Sequence, residues 1–165
     1  MTNSRTKGHN FERLVVKLIN EFIKSKGGTK FVSRNLDQAQ YKGQADIYWD
    51  NFAIECKRYG RSNTNMYKQA WWDQVCFAAR DKFIPILIYK FDRKPIYCVV
   101  PCYIIGDDFP KDNQVAYMCS FQELCKDYKN ILKRASEFNK WRRFWEFLSW
   151  SIRQNESCVG VVRNN

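Results

Sequence analysis

No apolar run in this chain approaches the roughly 18 residues that a membrane-spanning helix needs, and the opening stretch MTNSRTKGHN lacks the apolar core of a secretory leader. There is no GxxxxGK[ST] loop, so ATP-driven chemistry has no support and no nucleotide cofactor is expected. His9 is the lone histidine, and none of the seven cysteines (56, 76, 98, 102, 119, 125 and 158) forms a CxxC pair. A zinc site built from Cys98, Cys102 and His9 would lack paired ligand spacing, and a histidine base would lack partners. The odd, scattered cysteine count suits reduced thiols acting as small hydrophobes in a cytoplasm, that of a host cell if the chain is virus-encoded. No repeat, low-complexity tract or linker divides residues 1–165, so one domain is expected.

What is present is apolar and basic. Hydrophobic residues make up 45% of the chain, enough for a packed core rather than disorder. Aromatics reach 16% with six Trp, and they can fill a core, stack on bases or build an interface. Twenty-eight Lys and Arg against 17 Asp and Glu leave a formal charge of +11. Such a surplus repels itself unless a polyanion neutralises it, and it speeds encounter with one. The candidates are nucleic acid and an anionic membrane surface. With neither span nor leader, nucleic acid is favoured over a membrane.

Residues 9–25 place Phe11, Leu14, Val15, Leu18, Ile19 and Phe22 at helical spacing, with Asn10 as cap and Gly27-Gly28 as stop. A short strand at 31–34 and a polar loop at 35–42 follow. Residues 44–58 predict a hairpin turning at Asp50-Asn51. Residues 65–81 predict a helix with Tyr67, Ala70, Trp71, Gln74, Val75 and Ala78 on one broad face. The run 84–90 predicts a strand buried on both faces, paired across a turn at 92–94 with 95–100. Ser120 and Glu123 predict a capping box for a helix reaching about Arg134. A last helix over 137–153 carries Trp141, Phe144, Trp145 and Leu148, a stripe for core, dimer interface or base stacking. The order is helix, three strands, helix, two strands and two helices, which is a mixed α/β layer fold.

The hairpin holds the chemistry. A two-residue turn at Asp50-Asn51 pairs Trp49 with Phe52, Ile47 with Ile54, and Asp46 with Glu55. Glu55 and Lys57 then share a face, because side chains alternate along a strand, while Ile47, Trp49, Phe52, Ile54 and Cys56 take the other. Carboxylates about 5 Å apart repel by roughly 3 kcal/mol at an effective dielectric near 20. One is protonated, or Lys57 compensates, or a hard divalent cation bridges them. The plain alternative is a solvated strand face with a surface ion pair.

Asp46-(x)8-Glu55-Cys56-Lys57 resembles the D…(D/E)xK signature of the PD-(D/E)XK nuclease superfamily, with Ala45 where its first motif often has Pro. The stretch Lys7-Gly8-His9-Asn10-Phe11-Glu12-Arg13 is similar to the KG-x-x-FER opening of archaeal-type Holliday junction resolvases. Residues 67–79 look like the helix of small phage-encoded, resolvase-like nucleases, which puts Gln74, or less well Gln69, beside the site. The resemblance implies a restriction-endonuclease-like α/β fold, a mixed central sheet of about five strands flanked by helices. Its core would span about 7–100, with a C-terminal helical extension over about 118–155 that has no counterpart in the resemblance. It implies Mg²⁺, with Mn²⁺ substituting, held by Glu12, Asp46 and Glu55, with Lys57 assisting the attacking water and Gln74 completing the site. It also implies branched DNA as substrate and a homodimer that cuts two strands symmetrically. Lys7, Arg34, Lys42, Arg58, Arg61 and Lys68 are the candidate phosphate contacts. The Ser that often precedes a short glycine-rich loop in those resolvases would be Ser33, but here a longer, amide-rich loop follows.

Two other readings use the same residues: a nicking, single-strand-specific or restriction-type nuclease, and a non-catalytic nucleic-acid-binding module. Both enzyme readings and the module predict steep salt dependence. DNA affinity measured by anisotropy is expected to fall about 1,000-fold or more between roughly 50 and 200 mM salt if six or more phosphates are contacted. A flat profile would remove the polyanion argument.

Overall fold

The structure is a computed structural model that describes residues 4–39, 43–137 and 140. Helix α1 (Ser4–Ser25) leads into a single 3-10 turn (Leu36–Ala39), and then strands β1 (Ile47–Trp49) and β2 (Phe52–Tyr59). Helix α2 (Gln69–Ala79) connects β2 to β3 (Ile84–Phe91), which turns into β4 (Ile96–Pro101). A second 3-10 turn (Cys102–Ile104), β5 (Ala116–Ser120) and α3 (Phe121–Lys126) follow, and residues 128–137 are helical again. The five strands lie in the order β1-β2-β3-β4-β5. Among the described residues only β2 and β3 are parallel, as a crossover through α2 requires. This is the mixed five-stranded sheet between helices that the sequence predicts.

The inward stripe of α1 runs in steps of four, through Phe11, Val15, Ile19 and Ile23, onto the face of the sheet made by Ile47, Trp49, Phe52, Ile54 and Cys56. Leu14, expected on that stripe, is turned about a quarter-circle away and is exposed. The helix already runs from Ser4, so Asn10 is not its cap but accepts a hydrogen bond from Arg13 (3.1 Å). Its end is the predicted one. Gly27 takes φ +75°, Gly27 N–H donates to Lys24 O (3.0 Å) and Gly28 N–H to Ile23 O (2.9 Å), a Schellman cap.

On the opposite face α2 lays Trp71, Trp72, Val75, Ala78 and Ala79 against Leu87, Tyr89, Phe91, Val99 and Ala53. β3 is therefore covered on both sides, Ile84, Ile86 and Ile88 facing α1 and Leu87 and Tyr89 facing α2. α2 starts four residues later than the pattern predicts. The hydroxyls of Ser62 and Thr64 accept the backbone N–H of Thr64 and Met66 (both 3.2 Å), which diverts that stretch from helix. The helix beginning at Ser120 has the predicted capping box but breaks at Asp127. Residues beyond it pack on the α1 side, where Tyr128 stacks on Trp49 at 4.8 Å and Ile131 and Ala135 are buried. The expected helix over 137–153, with its aromatic stripe, lies outside the described residues apart from its first positions.

Two strand assignments differ. Residues 31–34 form a lone bridge, Arg34 to Ile47, because the Asn20 side chain takes both the N–H (2.8 Å) and C=O (3.0 Å) of Val32. The fifth strand is instead β5, an edge strand missed by the sequence pattern, which pairs with β4. Among the described residues no helix is long and apolar enough to cross a membrane. Asn20→Ala should lower stability by about 1–3 kcal/mol, since it strands both polar groups of Val32. Urea unfolding measures this, and an unchanged midpoint would show that water replaces the amide at no cost.

Candidate active site

The β1–β2 register is the one the turn spacing predicts, Ile47 with Ile54, Tyr48 with Ala53 and Trp49 with Phe52, and Asp50 supplies the left-handed turn at φ +49°. One step beyond β1, Asp46 is brought to β2, where its Oδ2 accepts the backbone N–H of Cys56 (2.6 Å). Asp46 and Glu55 are the two buried charged side chains among the described residues, 6% and 2% exposed. The segment carrying Asp46 is closed by Asn35, which donates its N–H to Asp46 O (2.7 Å) and its amide to Gln44 Oε1 (2.8 Å) and Ala45 O (3.1 Å). Gly43, at φ +85°, lets the chain pass Phe77, whose ring would lie 2.7 Å from an added Cβ.

Glu55 Oε1 is doubly engaged. Lys57 Nζ donates to it at 2.6 Å and Gln74 Nε2 at 2.8 Å, while Gln74 Oε1 accepts from Lys57 at 2.8 Å. The result is a closed triangle linking two strand positions to α2. Glu55 Oε2 is buried with no hydrogen-bond partner. A buried carboxylate oxygen left in this state costs free energy unless it is protonated or meets a cation.

Burial pushes the Glu55 carboxyl up from 4.5 to about 7, helped by Asp46 and less by Glu12, against the pull of Lys57. Burial likewise keeps Cys56 a thiol, with Asp46 and Glu55 adding to the effect, so it fills core space rather than acting as a nucleophile.

Glu12 is also here, since its charge acts on Glu55, but its Oε2 is taken by Arg34, whose Nε lies 2.6 Å away. Among the described residues no group of three or more His, Cys, Asp and Glu is placed to hold a metal ion. Asp46 and Glu55 therefore come together and Glu12 does not complete a three-carboxylate set in this arrangement. Two carboxylates still fit Mg²⁺, which keeps several waters and takes one or two carboxylates plus substrate phosphate, and the unpartnered Oε2 is the atom that such an ion would satisfy.

The basic candidates divide. Arg58 donates to Asp92 (2.6 Å), which also pairs with Lys7 (3.7 Å). Lys68 lies over the Tyr59 ring, Arg61 is exposed, and Lys42 is outside the described residues. Gln69 faces away, bonded to Asp73 on its own helix (2.9 Å). Ser33 is exposed and lines an open groove of about 520 Å³ beside β1. Asp92, Asn35 and Asn20 were not found by sequence reasoning. Each acts on a residue at least nine positions away, and no local pattern signals that.

A mixed sheet between helical layers, with a buried Asp and a Glu-x-Lys on its first hairpin, defines a nuclease fold of the PD-(D/E)XK class. The chain belongs to a phage family within that class: the family described as "Phage putative PDDEXK endonuclease" matches residues 3–146. No curated protein and no solved structure matches the chain significantly.

The raised Glu55 carboxyl has a sign that can be checked. The folded chain holds a proton there between pH 4.5 and about 7 that the unfolded chain releases. Its stabilising contribution is thus complete below pH 4.5 and lost as pH rises through about 7. In EDTA, the stability of the native chain minus that of Glu55→Gln should fall across this window by on the order of 3 kcal/mol. A pH-independent difference in denaturant unfolding would contradict the buried, unpartnered state of Oε2.

Proposed function

We propose that this chain is a divalent-cation-dependent endodeoxyribonuclease that hydrolyses phosphodiester bonds in branched DNA, with a four-way (Holliday) junction as the leading substrate. The observation that carries the reading is the pair of buried carboxylates, Asp46 and Glu55, with a free oxygen on Glu55 and a lysine two residues on. Asp46 and Glu55 would hold Mg²⁺, with Mn²⁺ as substitute. The ion supplies a lowered pKa for water and positive charge opposite the scissile phosphate.

The chain's own groups do the rest. Lys57, held by Glu55 and Gln74, orients the attacking water and assists its deprotonation. Gln74 keeps the ammonium and carboxylate in register, which makes it a positioning residue. Arg34, now paired with Glu12, would exchange it for a DNA phosphate, and Glu12, once released, would stand with Asp46 and Glu55 as a further ligand. Lys7, Arg58, Arg61 and Lys68, with Lys42, supply backbone contacts that position DNA without reading sequence. Symmetric cutting of a junction needs two sites, hence a homodimer acting in the cytoplasm, that of the host for a phage enzyme.

The test compares a synthetic four-way junction with linear duplex and single strands, in Mg²⁺ and in EDTA. Paired nicks on the junction are expected, abolished by EDTA and by Asp46→Asn with DNA binding retained. Lys57→Ala should slow cleavage by about 100- to 10,000-fold. Cutting that persists in Asp46→Asn would dismiss the site, and cutting of duplex alone would dismiss the junction. A monomer by light scattering at assay concentration would dismiss the dimer.

A further inference from the structure

We propose that Tyr59, backed by Trp71 and Lys68, is a stacking platform for an unpaired base on the strand that passes Glu55 and Lys57. The proposal rests on the nuclease reading above and narrows its substrate to DNA with a splayed or single-stranded nucleotide beside the cut.

Tyr59 is the last residue of β2, and Glu55, Lys57 and Tyr59 share the α2 face of that strand, since all three engage α2 residues or the lysine that precedes that helix. One same-face step along a strand is about 6.6 Å, a stride comparable with one nucleotide of extended DNA. A base held at Tyr59 would therefore belong to a nucleotide next to the phosphate at Lys57.

The ring is exposed yet fixed. Tyr59 is 49% exposed, although Phe52, Ala53, Ile54 and Cys56 of the same strand are buried. Trp71 lies 5.3 Å from its centroid at 46°, and Lys68 Nζ sits 4.3 Å from it. A ring already held by its neighbours loses little freedom when a base lands on it. The ammonium over the ring sits on a flexible stem that can swing off it to a phosphate, and with exposed Arg61 two residues on it provides the charge that the adjoining phosphates need. Amid a +11 surplus an anionic strand is the complementary partner.

Why the base must be unpaired follows from the geometry of stacking. Inside a duplex both faces of each base are covered by neighbours, so a side-chain ring has no face to meet. At the centre of a junction, a flap or a single strand, it does, and every base offers a π-face whatever the sequence.

The probe is DNA carrying 2-aminopurine, whose fluorescence is quenched on stacking, in single-stranded, four-way-junction and duplex form, titrated with protein in EDTA. Quenching is expected on the single strand and at the junction centre. Tyr59→Leu, which keeps an apolar contact with Trp71, should abolish it and weaken single-strand affinity about tenfold while changing duplex affinity far less. Tyr59→Phe should preserve both. Absence of quenching with the native chain at any label position, or quenching undiminished in Tyr59→Leu, overturns the platform. The nuclease reading is judged separately by cleavage in Mg²⁺: cutting without quenching sinks the platform alone, and quenching without cutting supports the platform and sinks the enzyme.

Discussion

Two carboxylates buried side by side are the constraint around which this structure is arranged. An ionised carboxylate removed from water costs several kcal/mol unless hydrogen bonds and opposite charge replace the lost hydration. Asp46 recovers part of this from the Cys56 backbone N–H, and Glu55 from Lys57 and Gln74. The compensation stops at one oxygen, Glu55 Oε2, and burial, with the Asp46 charge beside it, raises the carboxyl to about 7. A fold built for stability alone would place an apolar residue there. A cation bound there would relieve that cost, as the proposed metal dependence requires.

The rest of the molecule holds that pair in place from both sides. On one face, α1 packs on the hairpin through Phe11, Val15 and Ile19, and its Asn20 and Glu12 reach out to hold the segment that bears Val32 and Arg34. On the other face, small residues at Ala45, Ala53, Ala78 and Ala79 let α2 approach β2 closely, which is what brings Gln74 within reach of Lys57. Asp92 ties the far end of β2 to the start of α1 through Arg58 and Lys7. The basic groups nearest the site are thus paired internally with acids, and a phosphate backbone would have to compete with Glu12 and Asp92 for them. Affinity and positioning are in tension there: each pairing fixes a guanidinium or ammonium in direction and at the same time weakens its pull on DNA.

Much of this was legible from periodicity. The hairpin register follows from a two-residue turn and a strand period of two, so the positions of Asp46, Glu55 and Lys57 are encoded locally. The buried run at 84–90, the glycine stop of α1 and the Ser120–Glu123 capping box are likewise short-range signals. Two of the strand differences share one cause, a distant group overriding a local preference. Residues 31–34 have strand-like composition, but Asn20 satisfies their backbone. β5 is a strand because β4 offers an edge, and its own burial pattern is weak. Leu14 has the helical spacing of the core residues, but the packed stripe is too narrow to include it.

By itself the sequence determined the element order, the hairpin, the excess of positive charge and which residue types could do phosphodiester chemistry, because turn chemistry and side-chain alternation act over only a few positions. Tertiary structure alone decided which oxygen of Glu55 is left without a partner, that Glu12 is held by Arg34, that Gln74 closes a triangle with Lys57 and Glu55, and that Tyr59 stays exposed on a fixed ring. Those outcomes depend on distances between groups 9 to 22 residues apart in the chain. Such distances are set by how closely two packed layers approach, and no local pattern encodes them.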